Sequence, residues 1–278
     1  KGGKYQANVK RALEWLLKQQ KEDGDLRGGG RMYCHGIAAI ALCEAYGFTK
    51  DPKLKEPAER AIALIVASQS PSKGGWRYNP ANAQGKPSDD SDLSVTAWQY
   101  MALHSARLAG LEVSDEPFIR AQKYMASVSS GTHGGLYAYT GGGPNPAMTA
   151  SGMFCRQLDL VPPTDPRMAE GAEYLGRHKF NNNPDYYYVY YATLALYQHQ
   201  GPVWKEWNDK LKDTFPRIQN KIGNNRGSWD PGGRHANAGG RVVSTTLSVL
   251  SLEVYYRLLP MYGFRGASDL PDAKKRGQ

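Results

Sequence analysis

The chain has 278 residues, 35 Lys and Arg against 26 Asp and Glu, and a formal net charge of +9. That length suffices for a large core, and no apolar run approaches the ~20 residues of a membrane span. The three cysteines, Cys34, Cys43 and Cys155, are too few for a disulfide framework and lack CxxC spacing, so neither a structural zinc nor any other cofactor is expected.

Gln6 to Gln20 places Val9, Leu13, Leu16 and Leu17 on one face with Trp15 beside them, the pattern of an amphipathic outer helix. Glycines at Gly24 and Gly28 to Gly30 punctuate the chain. Tyr33 to Gly47 is then small and apolar nearly all round, as a helix buried on both sides must be. The same order returns four times. Ala58 to Gln69 is outer, Gly74-Gly75-Trp76 turns, and about Asp92 to Gly110 is inner. Phe118 to Val128 leads through Gly134-Gly135-Leu136 to Pro146–Leu158, ended by Pro162-Pro163. Arg167 to Phe180 precedes the tyrosine-rich Tyr186 to Gln200, and Val203 to Ile218 precedes Gly227-Ser228-Trp229 and Arg241 to Leu259. Aligning the inner segments on Ala41, Ala102, Cys155, Ala195 and Ser251 spaces them by about 40–60 residues, the range of helical-pair repeats.

This pattern predicts an all-α protein, an α/α toroid: a closed ring of about five helical hairpins with inner and outer layers. Sparse charge on the inner helices favours the closed ring over an open solenoid. Residues 1–264 are expected to form the single domain, and the polar tail 265–278 to be disordered. Lys and Arg are spread over outward-looking positions, so a solvated surface is expected and no nucleic acid. The compartment is left open.

The outer-helix-to-turn segments resemble the QW repeat of the squalene–hopene cyclase and protein prenyltransferase superfamily. Arg11-Ala12, Trp15-Leu16, Gln20 and Gly24-Asp25-Leu26 follow it, with Leu26 in place of the tryptophan. Arg60-Ala61, Leu64-Ile65, Gln69 and Gly75-Trp76 follow it with a longer turn, Gln219 with Gly227 and Trp229 is a looser copy, and Gly171-Ala172 with Tyr174-Leu175 is a partial one. The physical roles are clear: Gln hydrogen-bonds the turn, and Trp packs against a neighbouring unit. The superfamily's chemistry does not carry over. Where the cyclases have DxDDTA, this chain reads Asp89-Asp90-Ser91-Asp92-Leu93-Ser94-Val95-Thr96-Ala97. The Asp-x-Cys pair of the zinc prenyltransferases is missing before Cys34, and GCGEQ of complement-type thioester domains does not occur.

In a toroid the inner-helix N-termini converge at one end of a central funnel, where free N–H groups favour hydrogen-bond acceptors and anions. The residues expected there are Tyr33, Cys34, His35, Asp90, Asp92, Thr149, Tyr186, Tyr187, Tyr188, His235, Asn237 and Arg241. Asp90 and Asp92 are the candidate catalytic pair, a carboxylate raised by its neighbour being able to donate a proton; the alternative is helix capping. Cys34 and His35 lie about 100° apart on a helix and so seldom serve one atom. The tyrosines suit either an apolar or cationic ligand or a filled core, and the glycine-rich loop Ser228 to Gly240 is a further candidate. With the known catalytic motifs missing, the main expectation is a ligand- or partner-binding toroid, taking an apolar or isoprenoid small molecule or a protein. The alternatives are an enzyme acting on an isoprenoid or lipid, and a carbohydrate-active enzyme.

Overall fold

The computed structural model describes residues 3–81, 85–233 and 236–255, with the backbone alone for 236–238. Ten α-helices lie among them. The outer ones are α1 (Gln6–Gln19), α3 (Pro52–Ala67), α5 (Glu116–Ser127), α7 (Pro166–Arg177) and α9 (Gly201–Ile218). The inner ones are α2 (Met32–Thr49), α4 (Leu93–Leu108), α6 (Pro146–Leu158), α8 (Tyr186–His199) and α10 (Ala236–Leu252). Strand is confined, among the described residues, to the short pair β1 (Ser129–Ser130) and β2 (Leu136–Tyr137). The chain divides into two compact units, Lys1–Ser129 with Ala138–Gly142, and Ser130–Tyr137 with Gly143–Gln278.

In the first unit α2 packs on α4 and α3. Nearly every residue of α4 is buried, from Leu93 to Ala106, as fits a helix with almost no charged residue between two neighbours. Contact with α2 is close because Gly36 has no side chain: a Cβ there would sit 2.6 Å from Gln99 Nε2, which donates to Met32 O at 2.9 Å. α1 buries no residue, and Trp15 is 60% exposed, so the amphipathic face read from the sequence is only partly covered. In the second unit α6 packs on α8, and α8 on α10 and α9. The tyrosines of α8 are mostly core: Tyr190 and Tyr191 are fully buried.

One construction joins the outer helices α1, α3 and α9 to the next element. Gln20, Gln69 and Gln219 donate their amides to the turn carbonyls of Gly24, Gly74 and Gly227, at 3.3, 2.7 and 2.9 Å. Gln20 and Gln69 also reach Pro57 O inside α3 and Pro117 O in the first turn of α5. The indoles of Trp76 and Trp229 donate to Ile65 O and Phe215 O. Backbone N–H groups of Trp76, Tyr137 and Trp229 are accepted by Thr96, Thr149 and Thr245 on the inner helix that follows. At Gly24 and Gly74, φ is +89° and +83°, and a Cβ would fall 2.3 and 2.5 Å from Arg60 O and Arg120 O, so only glycine fits.

Boundaries follow capping chemistry. α6 spans the expected residues because Asn145 caps it, accepting from Met148 N, and Pro occupies its first turn. α7 stops at Arg177 rather than Phe180. α10 begins before Arg241 and is broken at Gly240, where φ is +57°. The expected end of that helix at Leu259 and the tail 265–278 lie outside the described residues.

Candidate functional site

Asp92 and Tyr33 meet at the adjacent starts of α4 and α2 in the first unit, and two turns bring further groups to them. Asp92 is fully buried and caps α4, its Oδ1 accepting from Val95 N at 2.9 Å and from the Ser94 hydroxyl. Its Oδ2 accepts from Arg77 Nη1 at 2.8 Å. The same Nη1 donates to the Tyr139 hydroxyl at 2.9 Å, while Arg77 Nε lies 3.2 Å from Asp90 Oδ2. One guanidinium therefore ties the carboxylates of Asp90 and Asp92 to a phenol. Tyr139 and Tyr78 share a hydroxyl–hydroxyl hydrogen bond, as do Tyr33 and Ser94. The Arg77 guanidinium lies 4.7 Å from the ring centroid of Tyr78 and 5.4 Å from that of Tyr139, and the Tyr33 and Tyr78 rings are 5.9 Å apart. Lys73 Nζ holds the other oxygen of Asp90 at 3.1 Å.

The main chain sets this cluster up. Asp92 N donates to Trp76 O at 3.0 Å, Met32 N to Tyr78 O at 2.9 Å, and Leu93 N to Tyr139 O at 2.9 Å. The segment from Trp76 to Tyr78 is thus held against the starts of both inner helices, and Tyr139 against the second. Asp92 and Asp90 separate in environment. Asp92 has no exposed surface, whereas the Asp90 side chain is 48% exposed.

Protonation follows from these partners. Burial would raise the Asp90 carboxyl, but Lys73, the Ser91 N–H and Arg77 together hold it below the ordinary carboxylate range. The phenols move up: Tyr33 through burial and the charge of Asp92, Tyr139 through burial, its bond to Tyr78 and the same charge. Burial opposes the charge on Arg77, yet Asp92, Tyr139 and Asp90 raise its pKa. At neutral pH the site presents an ionised Asp90, an ionised guanidinium and protonated phenols. Such a surface offers fixed donors and acceptors beside aromatic faces. Asp90 is therefore not a carboxylic acid poised to release a proton, which needs a raised pKa.

Other expected residues lie elsewhere. His35 is fully buried, its Nδ1 accepting from Leu26 N at 3.1 Å and its Nε2 donating to Ala61 O at 2.9 Å. It fills in the first hairpin the slot that Thr96, Thr149 and Thr245 fill later, so its ring braces a turn. Cys34 is exposed, whereas His35 beside it is buried. In the second unit Tyr186 is buried edge-on against Phe215, and burial with the Asp230 charge pushes its phenol up to about 12. Tyr188 donates to His178 O at 2.6 Å and packs on Trp207, while Tyr187 lies beside Tyr191. Arg241 pairs with Asp230 at 2.6 Å and bonds Ser228 Oγ at 3.0 Å. His235 and the Asn237 side chain lie outside the described residues. The second unit also has a surface groove of about 460 Å³ between the Thr132–Leu136 turn and α7. Its Glu170 is consumed by the N–H groups of Thr132, His133 and Gly135.

Arg77, Tyr78 and Tyr139 were not among the residues expected at this mouth. The sequence signal for them was the pair of turns Gly75-Trp76-Arg77-Tyr78 and Gly135-Leu136-Tyr137-Ala138-Tyr139, aromatic beyond the glycine in both. Among the described residues no group of three or more His, Cys, Asp or Glu side chains is placed to hold a metal ion, and no helix is long and apolar enough to cross a membrane.

No protein-family model matches the sequence, and no curated protein does. The fold matches solved structures. An inactive variant of the alpha-1,6-mannanase GH76A of Salegentibacter sp., changed at two consecutive aspartates and complexed with alpha-1,6-mannotriose, aligns with a TM-score of 0.60 and 12% identity, over 90% of this chain and 81% of its own. A second structure of that mannanase gives 0.53 and 12%, over 91% and 89%. An aspartate-to-asparagine variant of an unsaturated glucuronyl hydrolase, with dGlcA-Glc-Rha-Glc, gives 0.64 and 10%, over 93% and 82%. The chain has the α/α toroid fold of these proteins.

The resemblance to squalene cyclases and prenyltransferases is corrected by these matches, which are to glycosidases. Its Gln and Gly-x-Trp elements are real, and after α1, α3 and α9 they serve the turn hydrogen bonds described above. The isoprenoid ligand loses its support as well, because the matched toroids are complexed with oligosaccharides.

Proposed function

We propose that this chain is a carbohydrate-active toroid protein that holds an oligosaccharide at the mouth formed by Tyr33, Arg77, Tyr78, Asp90 and Tyr139. The observation that carries this reading is the Arg77 cluster itself. Half-buried phenol rings give flat faces for the C–H surfaces of a sugar, and Asp90, Arg77 and the hydroxyls give fixed partners for its hydroxyl groups. The oligosaccharide complexes of the matched toroids support the same ligand class. Isothermal titration calorimetry with alpha-1,6-mannotriose and a panel of neutral and acidic oligosaccharides tests it. Saturable binding that Tyr78→Ala abolishes, with an unchanged circular dichroism spectrum, is expected; no binding to any member of the panel would reject it.

A second reading, glycoside cleavage, is favoured by one observation. The mannanase variant with mannotriose is inactive through two aspartates, and this mouth also carries a pair, Asp90 and Asp92. Cleavage by paired carboxyls needs one of them protonated, and the pairing of Asp90 with Lys73 and Arg77 works against that. Release of reducing ends that Asp90→Asn stops would establish cleavage; binding without release leaves recognition as the function.

A further inference from the structure

We infer that the sugar held at this mouth carries a carboxylate, that is, a uronate, and that Arg31 selects it. The inference rests on the saccharide-binding reading above and adds the charge of the ligand.

Two guanidiniums lie 4.7 Å from the ring centroid of Tyr78, those of Arg77 and Arg31. Arg77 is neutralised, with Asp92 and Asp90 both on it. Arg31 is not: no ion pair joins it to an acid among the described residues, and its side chain is exposed. Its position is fixed all the same, by the ring of Tyr78 and by its place as the residue preceding α2, where Met32 N is tied to Tyr78 O. A cation held over an aromatic face beside a polar mouth, with its planar fork unused, is a ready partner for a planar carboxylate. The surroundings do not supply that anion. α2 starts without a side-chain cap and without an acidic residue in its first turn, whereas Asp92 caps α4 and Asp185 caps α8. The sugar's carboxylate would meet Arg31 while its ring lies along Tyr33, whose ring is 5.9 Å from that of Tyr78. The chain's net charge of +9 draws an anionic saccharide toward the surface in general, and Arg31 gives the attraction a place.

Trigalacturonate and its fully methyl-esterified form share one sugar backbone and differ in charge, so their affinities by calorimetry isolate the carboxylate. The acid form is expected to bind at least about tenfold more tightly at low ionic strength. The gap should narrow as salt is raised. Arg31→Ala should bring the two affinities together, and Arg31→Lys should keep part of the gap because the charge remains without the fork. Equal affinities for acid and ester in the native protein would overturn the inference while leaving a neutral saccharide site standing. A gap that persists in Arg31→Ala would overturn the assignment to Arg31. Failure of both galacturonides alongside binding of a neutral oligosaccharide would overturn the uronate alone; failure of every saccharide would overturn the underlying reading too.

Discussion

Removing Arg77 is the most informative single perturbation of this molecule. Asp92 is fully buried, and among the described residues Arg77 supplies the one cation paired with it. Taking one partner from a fully buried ion pair costs about 3–5 kcal/mol, because the remaining charge is stranded without water. Two features reduce that figure here. Arg77 is itself 26% exposed, and Asp92 keeps its bonds from Val95 N and the Ser94 hydroxyl. For Arg77→Met, which preserves most of the stem, a loss of about 2–3 kcal/mol follows. At ~2–4 °C per kcal/mol for a chain of this size, the thermal midpoint should drop by about 4–12 °C. Thermal unfolding followed by circular dichroism measures this. The cause is isolated by pairing Arg77→Met with Asp92→Asn, which leaves a neutral side chain able to accept at the cap. If a stranded charge is the cost, the double variant recovers most of the loss. A loss below about 1 kcal/mol, or a double variant no better than the sum of its singles, would refute the reasoning.

Three further outcomes are expected. His35→Ala strands Leu26 N–H and Ala61 O, so chemical denaturation should show a loss of about 2–4 kcal/mol. Burial also lowers the His35 pKa from its ordinary 6.5. The unfolded chain therefore takes up a proton that the native one resists, and this component of stability is full above about pH 6.5 and declines below it, a decline that His35→Ala should lack. Gly74→Ala places a methyl 2.5 Å from Arg120 O at φ +83°, and a midpoint loss equivalent to at least about 2 kcal/mol should be seen. Asp90→Asn, at a half-exposed pair, should change stability by no more than about 0.5 kcal/mol but weaken saccharide binding measured by calorimetry. Because Asp90 is held below the ordinary carboxylate pKa, its charge persists from neutral pH down to about pH 4, and affinity should fall only beneath that.

The helices were legible because their burial is one-sided or complete, and both leave a mark on composition. Outer helices such as Pro166–Arg177 keep a polar face, and inner ones such as Leu93–Leu108 have almost none. Asp92 was legible as a cap from its place before an apolar run, and the structure confirms the bond to Val95 N. Arg77 and Tyr139 were not legible as neighbours, since they are 62 residues apart and meet only because successive turns lie side by side. The role of His35 was hidden for another reason: its three counterparts are threonines, and a histidine does not match the residue type that marks the slot elsewhere. The family resemblance failed on the same physics that made the fold readable. Glutamine to the turn carbonyl and tryptophan to the outer-helix carbonyl are one way of closing the hairpin joint, so they mark the joint and not the family.

The joint and the site are also one construction in the first unit. Trp76 closes the hairpin with its indole and with the N–H taken by Thr96, and the next two residues along that segment are Arg77 and Tyr78. Its carbonyl takes the N–H of Asp92, so the buried carboxylate and the guanidinium that neutralises it are placed by the same turn. Rigidity of this origin holds donors and acceptors at set distances, as recognition of a polyhydroxylated ligand requires. It acts against acid catalysis, because the contacts that hold Asp90 in place are with Lys73 and Arg77, and each favours its ionised form. A catalytic version of this mouth would need one carboxyl free of cations and set in apolar surroundings. Lys73→Met removes one of the two cations and moves toward that arrangement, and release of reducing ends by that variant but not by the native protein would locate the difference between binding and cleavage in the Lys73 contact.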